Sequence, residues 1–261
     1  ADRRLVSTRN HLHIGSNAEA TVIECFATLP GAATEGQINT LTETLVGDGA
    51  RLAHVKCAID TGSVSHLATW LSTLGAGSVY RAFHLTAGPE LARSQAFIDF
   101  AGEGAKLDVS GVFLARGAAH ADTTLVIDHA VPGCESRELF KGVLDGNARG
   151  VFQGKVIVRP NAQKTDGKQM AQALMLSPDA EFDSKPELEI YADDVVCGHG
   201  STAAELDENL MFYCRSRGIP EPEARALLIE AFVGEVLDKI EDEALRTALT
   251  SMTRTWLAAR R

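Results

Sequence analysis

The residues best placed to do chemistry lie in one short segment, Glu187-Leu188-Glu189-Ile190-Tyr191-Ala192-Asp193-Asp194-Val195-Val196-Cys197-Gly198-His199-Gly200. In an extended chain, alternate side chains share a face. Cys197 and His199 would then point the same way, with their Cα atoms about 6.5–7 Å apart. Thiolate and imidazole suit iron, zinc or copper. Gly198 and Gly200 leave room for an ion or another chain to approach. Two ligands do not complete a coordination sphere, so a partner would have to finish it. The competing reading is a cysteine packed as a small apolar group beside an incidental histidine. Asp193-Asp194 offers carboxylates, but a turn between strands is the simpler use of such a pair.

The signatures of several other chemistries are missing from the sequence. Gly150-Val151-Phe152-Gln153-Gly154-Lys155 is one residue short of a phosphate-binding loop, and Val156 follows the lysine where Ser or Thr is needed. Gly47-Asp48-Gly49 lacks the third glycine of a dinucleotide fingerprint. Neither a His-Glu-x-x-His nor a Gly-x-Ser-x-Gly element occurs. The cysteines, Cys25, Cys57, Cys134, Cys197 and Cys214, are odd in number and contain no Cys-x-x-Cys pair. That usage fits a reducing compartment, and the expected location is cytoplasmic.

The chain has 25 basic and 35 acidic residues, a net charge of −10 that disfavours nucleic acid and anionic membrane surfaces. Lys155, Arg159, Lys164 and Lys168 are its nearest approach to a basic cluster, expected to be solvated along a loop. No apolar run reaches the 18 residues that a membrane-spanning helix needs. At 45% hydrophobic and 23% charged, the 261 residues read as a globular chain.

Positioning these residues falls to two kinds of element. Up to about residue 200 the chain is a series of short extended runs, such as Thr21–Phe26, His54–Ile59, Ser78–Phe83, Thr124–Ile127 and Lys155–Val158. They recur roughly every 12–20 residues and are punctuated by Gly, Asn, Asp or Pro. This spacing allows a sandwich, an antiparallel barrel or a parallel β-helix. Hairpin signals are scarce, with no Asn-Gly, which favours the stacked coils of a solenoid. No strict repeat is visible.

Beyond Leu206 the texture turns helical. Asp207 caps a helix running to Arg217, with Gly218 as its stop. A second stripe is expected at Ala224, Leu227, Leu228, Ala231, Phe232, Val236 and Ile240, and a third at Leu245, Leu249, Met252 and Trp256. Glu205–Arg246 holds 11 acidic and 5 basic residues, a solvated face or a docking surface for a basic partner. The solenoid is expected to need no helices for its own core.

From Leu139 onward the sequence resembles the SufB/SufD family of the SUF iron–sulfur assembly system. The resemblance rests on Leu139-Phe140-Lys141-Gly142-Val143-Leu144-Asp145-Gly146, Ala148–Lys155, Gln163-Lys164-Thr165-Asp166, Pro186–Val195, Cys197-Gly198-His199-Gly200 and Phe212-Tyr213-Cys214-Arg215-Ser216-Arg217-Gly218-Ile219. It covers roughly residues 128–232; the first 120 residues fit by texture only. Within the family the chain is similar to SufD. SufB members carry a Glu directly after the motif histidine, where this chain has Gly200, and the cysteine-bearing rung of SufB has no counterpart pattern here.

The resemblance implies a mainly β protein: a right-handed parallel β-helix over residues 1–204, then a small helical domain over 205–261. The additional N-terminal helical domain usual in the family is expected to be absent from this chain. It further implies a non-enzymatic subunit that pairs with a SufB-like partner and a SufC-like ATPase. His199, with Cys197, would lie near the interface where a nascent cluster forms. Iron or a cluster would be held only transiently in the complex, with no cofactor bound stably by this chain alone. The resemblance also carries Phe212, Tyr213 and Arg217 as partner-binding candidates, and the isolated chain could form a homodimer. Two rivals are a SufB-like scaffold and a solitary β-helix enzyme acting on carbohydrate. The scaffold would need three or four local thiolates, the enzyme carboxylates along a groove.

Overall fold

A computed structural model describes residues 4–27, 35–59 and 63–259. Fourteen strands appear among them: β1 (Arg4–Ile14), β2 (Glu19–Phe26), β3 (Glu35–Val46), β4 (Arg51–Ala58), β5 (Ser63–Leu74), β6 (Val79–Ala87), β7 (Leu91–Phe100), β8 (Lys106–Gly117), β9 (His120–His129), β10 (Glu135–Gly146), β11 (Arg149–Val158), β12 (Asp166–Met175), β13 (Glu181–Ile190) and β14 (Val196–Ala204). The odd strands stack in sequence order into one seven-stranded sheet, the even strands into another. The pairings are parallel. Each coil thus gives one strand to each sheet, and seven coils form a parallel β-helix.

The repeat is present but its length varies. Leu91 lies beside His120 and His120 beside Arg149, a step of 29 residues. Elsewhere the step is 26, from Ser65 to Leu91, or 32, from Arg149 to Glu181. What recurs faithfully is the turn entering the even sheet. Asn17, Gly49, Gly77, Gly104, Gly133 and Lys164 all have positive φ, between 58° and 70°. Such left-handed backbone favours Gly and tolerates Asn. Their N–H groups donate to the next coil, as from Gly49 to the carbonyl of Ala76 at 2.8 Å and from Gly133 to that of Gln163 at 2.9 Å. A small residue follows each, and Ala50, Ser78, Ala105 and Cys134 are 0% exposed. Cys134 is therefore one member of a stacked column of small side chains.

Inside the coils, Trp70, Phe100, Phe140, Phe152, Ile98 and Ile127 anchor the main core. Three helices follow: α1 (Glu208–Ser216), α2 (Glu221–Leu237) and α3 (Glu243–Ala258). Asp207 caps α1, its carboxylate accepting from the N–H groups of Asn209 and Leu210, and Gly218 has φ 83°. Asp242 caps α3 by accepting from Leu245 N–H at 2.7 Å.

The solenoid does depend on these helices. Val55, Phe83, Leu85, Val112, Leu114 and Val143, on the outer face of the even sheet, share a second core with Ile229, Val233, Val236, Leu237 and Leu249. That corrects the expectation of a solenoid complete without them. Polar ties surround this apolar contact: Lys239 Nζ lies 2.6 Å from Asp108, Lys141 pairs with Glu235, and Arg116 stacks 3.8 Å from the centre of the Trp256 ring. The buried line of α2 also differs from the expected stripe. Ala224, Ile229, Val233, Val236 and Leu237 are buried, while Leu227 is exposed. Contact with the sheet and both neighbouring helices leaves α2 apolar on several sides, so periodicity alone does not single out its deepest face.

The four basic residues are not along one loop. Lys155 is in β11 and pairs with Glu189 at 2.6 Å, Arg159 pairs with Asp128 at 2.6 Å, Lys164 is in a turn against Asp194, and Lys168 is in β12. Among the described residues no helix is long and apolar enough to cross a membrane.

Candidate functional site

The strand β14 pairs with β12 on one side and ends the even sheet on the other. It is the last rung, and both Cys197 and His199 are on it. In register, Cys197 stands beside Gly167 and His199 beside Gln169. The thiol packs against the end of the main core and is half-buried. A Cβ at position 167 would lie 3.5 Å from Cys197 Sγ, so Gly167 leaves the sulfur just its contact distance. Burial pushes the Cys197 thiol above its ordinary pKa, the neighbouring backbone N–H and Lys168 pulling more weakly the other way. This protonated thiol becomes a good ligand once a metal displaces its proton.

His199 is exposed, because no further coil stacks on β14. A Cβ at Gly198 would meet nothing within 4 Å, so the strand face opposite Cys197 and His199 is open at that position. Gly200 has a different use: a Cβ there would sit 2.6 Å from Met170 Cε. Asp194 belongs to the turn before β14, where its N–H donates to Gln163 Oε1 at 2.9 Å and its carboxylate pairs with Lys164. Among the described residues no three His, Cys, Asp or Glu side chains gather closely enough to hold a metal.

Two residues that sequence reading missed stand directly behind His199. Glu138, Gln169 and His199 occupy one register column across β10, β12 and β14. Glu138 is 2% exposed and Gln169 3%, and their terminal polar atoms lack hydrogen-bond partners. Burial pushes the Glu138 carboxyl up to about 8, against weaker opposing pulls from Ser136 and Arg137. The Gln169 amide lies over Gly154, where a Cβ would come within 2.3 Å of Nε2. The signal was the coil step, with 138, 169 and 199 lying about one coil apart; it is invisible until the register is known.

A second polar constellation fills the first coils. His54 Nε2 lies 2.9 Å from Glu24 Oε2, its Nδ1 3.1 Å from Tyr80 Oη, and its ring stacks 4.1 Å from that of Trp70. The other Glu24 oxygen accepts from Asn10 at 2.8 Å and Thr42 at 3.0 Å. Burial alone would raise the Glu24 pKa, but His54, Thr42 and Lys56 together hold it below the usual value. The partner-binding candidates are on or next to α1, which buries none of its residues. Phe212 is 74% exposed and Tyr213 56%, with the Arg217 guanidinium 5.0 Å from the Tyr213 ring centre.

A seven-coil parallel β-helix with cysteine and histidine on its last rung, and helices packed on one outer face, defines the class: a β-solenoid protein. The family description "SUF system FeS cluster assembly, SufBD core domain" matches residues 1–232, and the chain belongs to this family. The match continues past the last strand into α2, the helix sharing the outer core. The chain is 34% identical over 239 residues to the iron–sulfur cluster assembly protein SufD of Escherichia coli, covering 91% of this chain and 56% of that protein. It is 33% identical over 253 residues to a SufBD family protein of Synechocystis, covering 94% of this chain and 55% of the relative. A SufBD family protein of Mycobacterium tuberculosis is 35% identical over 217 residues, 80% of this chain and 55% of the relative. The chain thus spans about half the length of these relatives, and the likeness to SufD agrees with the sequence reading.

Proposed function

We propose that this chain is a non-enzymatic, SufD-like subunit of a SufB–SufC–SufD complex that assembles iron–sulfur clusters. The observation that carries the reading is the last rung: Cys197 and His199 share one face of an edge strand, and His199 is exposed there. A thiolate and an imidazole are half of a tetrahedral site. A SufB-like partner meeting this end would supply the remaining ligands, so the nascent cluster is cargo shared between two chains. The unpaired side of β14 also presents backbone groups for such a partner. The exposed aromatic residues of α1, with Arg217, form the surface proposed for a SufC-like ATPase, which would bring the nucleotide chemistry whose loop this sequence lacks.

The test is co-expression with SufB-like and SufC-like proteins, followed by iron and sulfide analysis of the purified complex. His199→Ala is expected to retain complex formation and the wild-type melting curve while losing most of the cluster. Wild-type loading in that variant would remove His199 from the mechanism. Lost loading with a collapsed melting temperature would reassign it to structure.

A further inference from the structure

Two further cysteines, remote in sequence, are brought side by side by the coil. Cys25 on β2 stands in direct register with Cys57 on β4. Both point outward from the even sheet, Cys57 into the core shared with the helices. They lie at the opposite end of that sheet from β14, where β2 has no further neighbour. Cys25 is therefore exposed, while Cys57 is only 2% exposed. Burial pushes the Cys57 thiol up to about 12, and the nearby Cys25 thiol adds to the rise. The surroundings are apolar: Leu85 is next to Cys57 in the same column, and Ile23 and Val55 form the neighbouring one.

The spacing of the two thiols decides what they can hold. Neighbouring strands lie about 4.8 Å apart, and in parallel, in-register coils the Cβ atoms repeat at that same spacing. A disulfide needs its Cβ atoms closer, at about 3.8 Å, so closing one would pinch the two rungs together. A metal–sulfur bond is about 2.3 Å long, so two of them in line span about 4.6 Å. The rung spacing therefore matches a cation bridging the two sulfurs. Zinc would ask for four ligands, and Ile23, Val55 and Leu85 offer none. Copper(I) is soft, favours thiolates and accepts two of them in line.

We propose that Cys25 and Cys57 form a two-coordinate site for a soft monovalent cation of the copper(I) class, on the outer face of the first two coils. The cation enters through exposed Cys25 and displaces both thiol protons. Two thiols and one copper(I) give a bis-thiolate complex of charge −1 and two released protons, with no change of oxidation state. The net negative charge stays at the solvent edge, where Cys25 is open to water.

The experiment presents the reduced full chain, without oxygen, with copper(I) held by bicinchoninate, and reads copper uptake by native mass spectrometry and its neighbours by X-ray absorption. The expected result is a copper with two sulfur neighbours, retained in Cys197→Ser and lost in Cys25→Ser. Cys25 is exposed, so Cys25→Ser should keep the wild-type melting curve. No uptake from bicinchoninate overturns the site, as does uptake that persists in Cys25→Ser or disappears in Cys197→Ser. A Cys25–Cys57 disulfide formed readily by oxidised glutathione, with release of two molecules of glutathione, would overturn the spacing argument.

Discussion

The two sheets of the solenoid are built on the same coil yet face outward in opposite ways. The outer face of the odd sheet is wet and carries ion pairs between rungs: Arg9 with Glu43, Arg159 with Asp128, and Arg149 with Asp183. The even sheet turns Val55, Phe83, Leu85, Val112 and Leu114 outward and hides them under α2 and α3. The sequences show it: His120–His129 alternates buried and half-buried residues, whereas the middle of Lys106–Gly117 is buried at seven successive positions. A sheet covered on one side alternates; one covered on both reads as a continuous run. The helices are therefore part of the β-helix's folding unit, and a continuous run within a solenoid sequence marks the face awaiting a cover.

The largest effect should come from placing a charge in that covered face. Val233 is 0% exposed in the middle of α2. Val233→Asp should cost about 3–5 kcal/mol, because an unpaired carboxylate would be buried between helix and sheet. On the odd sheet Phe97 is 37% exposed, and Phe97→Asp should cost within about 1 kcal/mol. Urea denaturation of both variants measures the difference. Equal losses would mean that the two faces do not differ in the way described.

The second contrast sets an interior carboxyl against an exterior one. Glu138 ionises near 4.5 when unfolded but near 8 when folded. Its folded form holds the proton more tightly, so wild-type stability falls as pH rises from about 4.5 to about 8. Glu138→Gln does not titrate. Its melting temperature relative to wild type should therefore climb over that window and level off above it; parallel curves would show that Glu138 is not buried in the neutral form. The smallest effect belongs to the exterior pair. Arg159→Ala breaks a bidentate contact with Asp128 that is open to water, and such pairs are screened and worth little. No measurable change in melting temperature is expected in moderate salt, and a clear drop would give these rung-to-rung pairs a larger role.

Much of the architecture was legible from residues alone. Val, Ile and Thr alternation marked the strands, the missing Asn-Gly turns pointed away from hairpins, and Asp207 with Gly218 marked the ends of α1. The repeat was hidden because coil length shifts between 26 and 32 residues, and because the turn column uses Asn17 and Lys164 where other coils use Gly. The attachment of α2 was hidden because its partners on β8 and β10 are remote in sequence. At the candidate site, the Cys197–His199 spacing was readable from strand geometry. Glu138 and Gln169 were not, since only the register places them in line with His199. Cys25 and Cys57 read as scattered cysteines until the coils stacked one on the other.

The position of β14 has a kinetic meaning. In a stack where each coil leans only on its neighbours, opening begins at the ends and works inward. The middle coils are clamped by α2 through β8 and β10 and by α3 through β6, while β14 has one neighbour in its sheet. Its outward-facing amides should exchange with solvent fastest among the even strands of the C-terminal half, at a free energy well below that of global unfolding. Cys197 and His199 therefore ride on a rung that breathes, and docking of a second chain would slow that exchange by closing the stack.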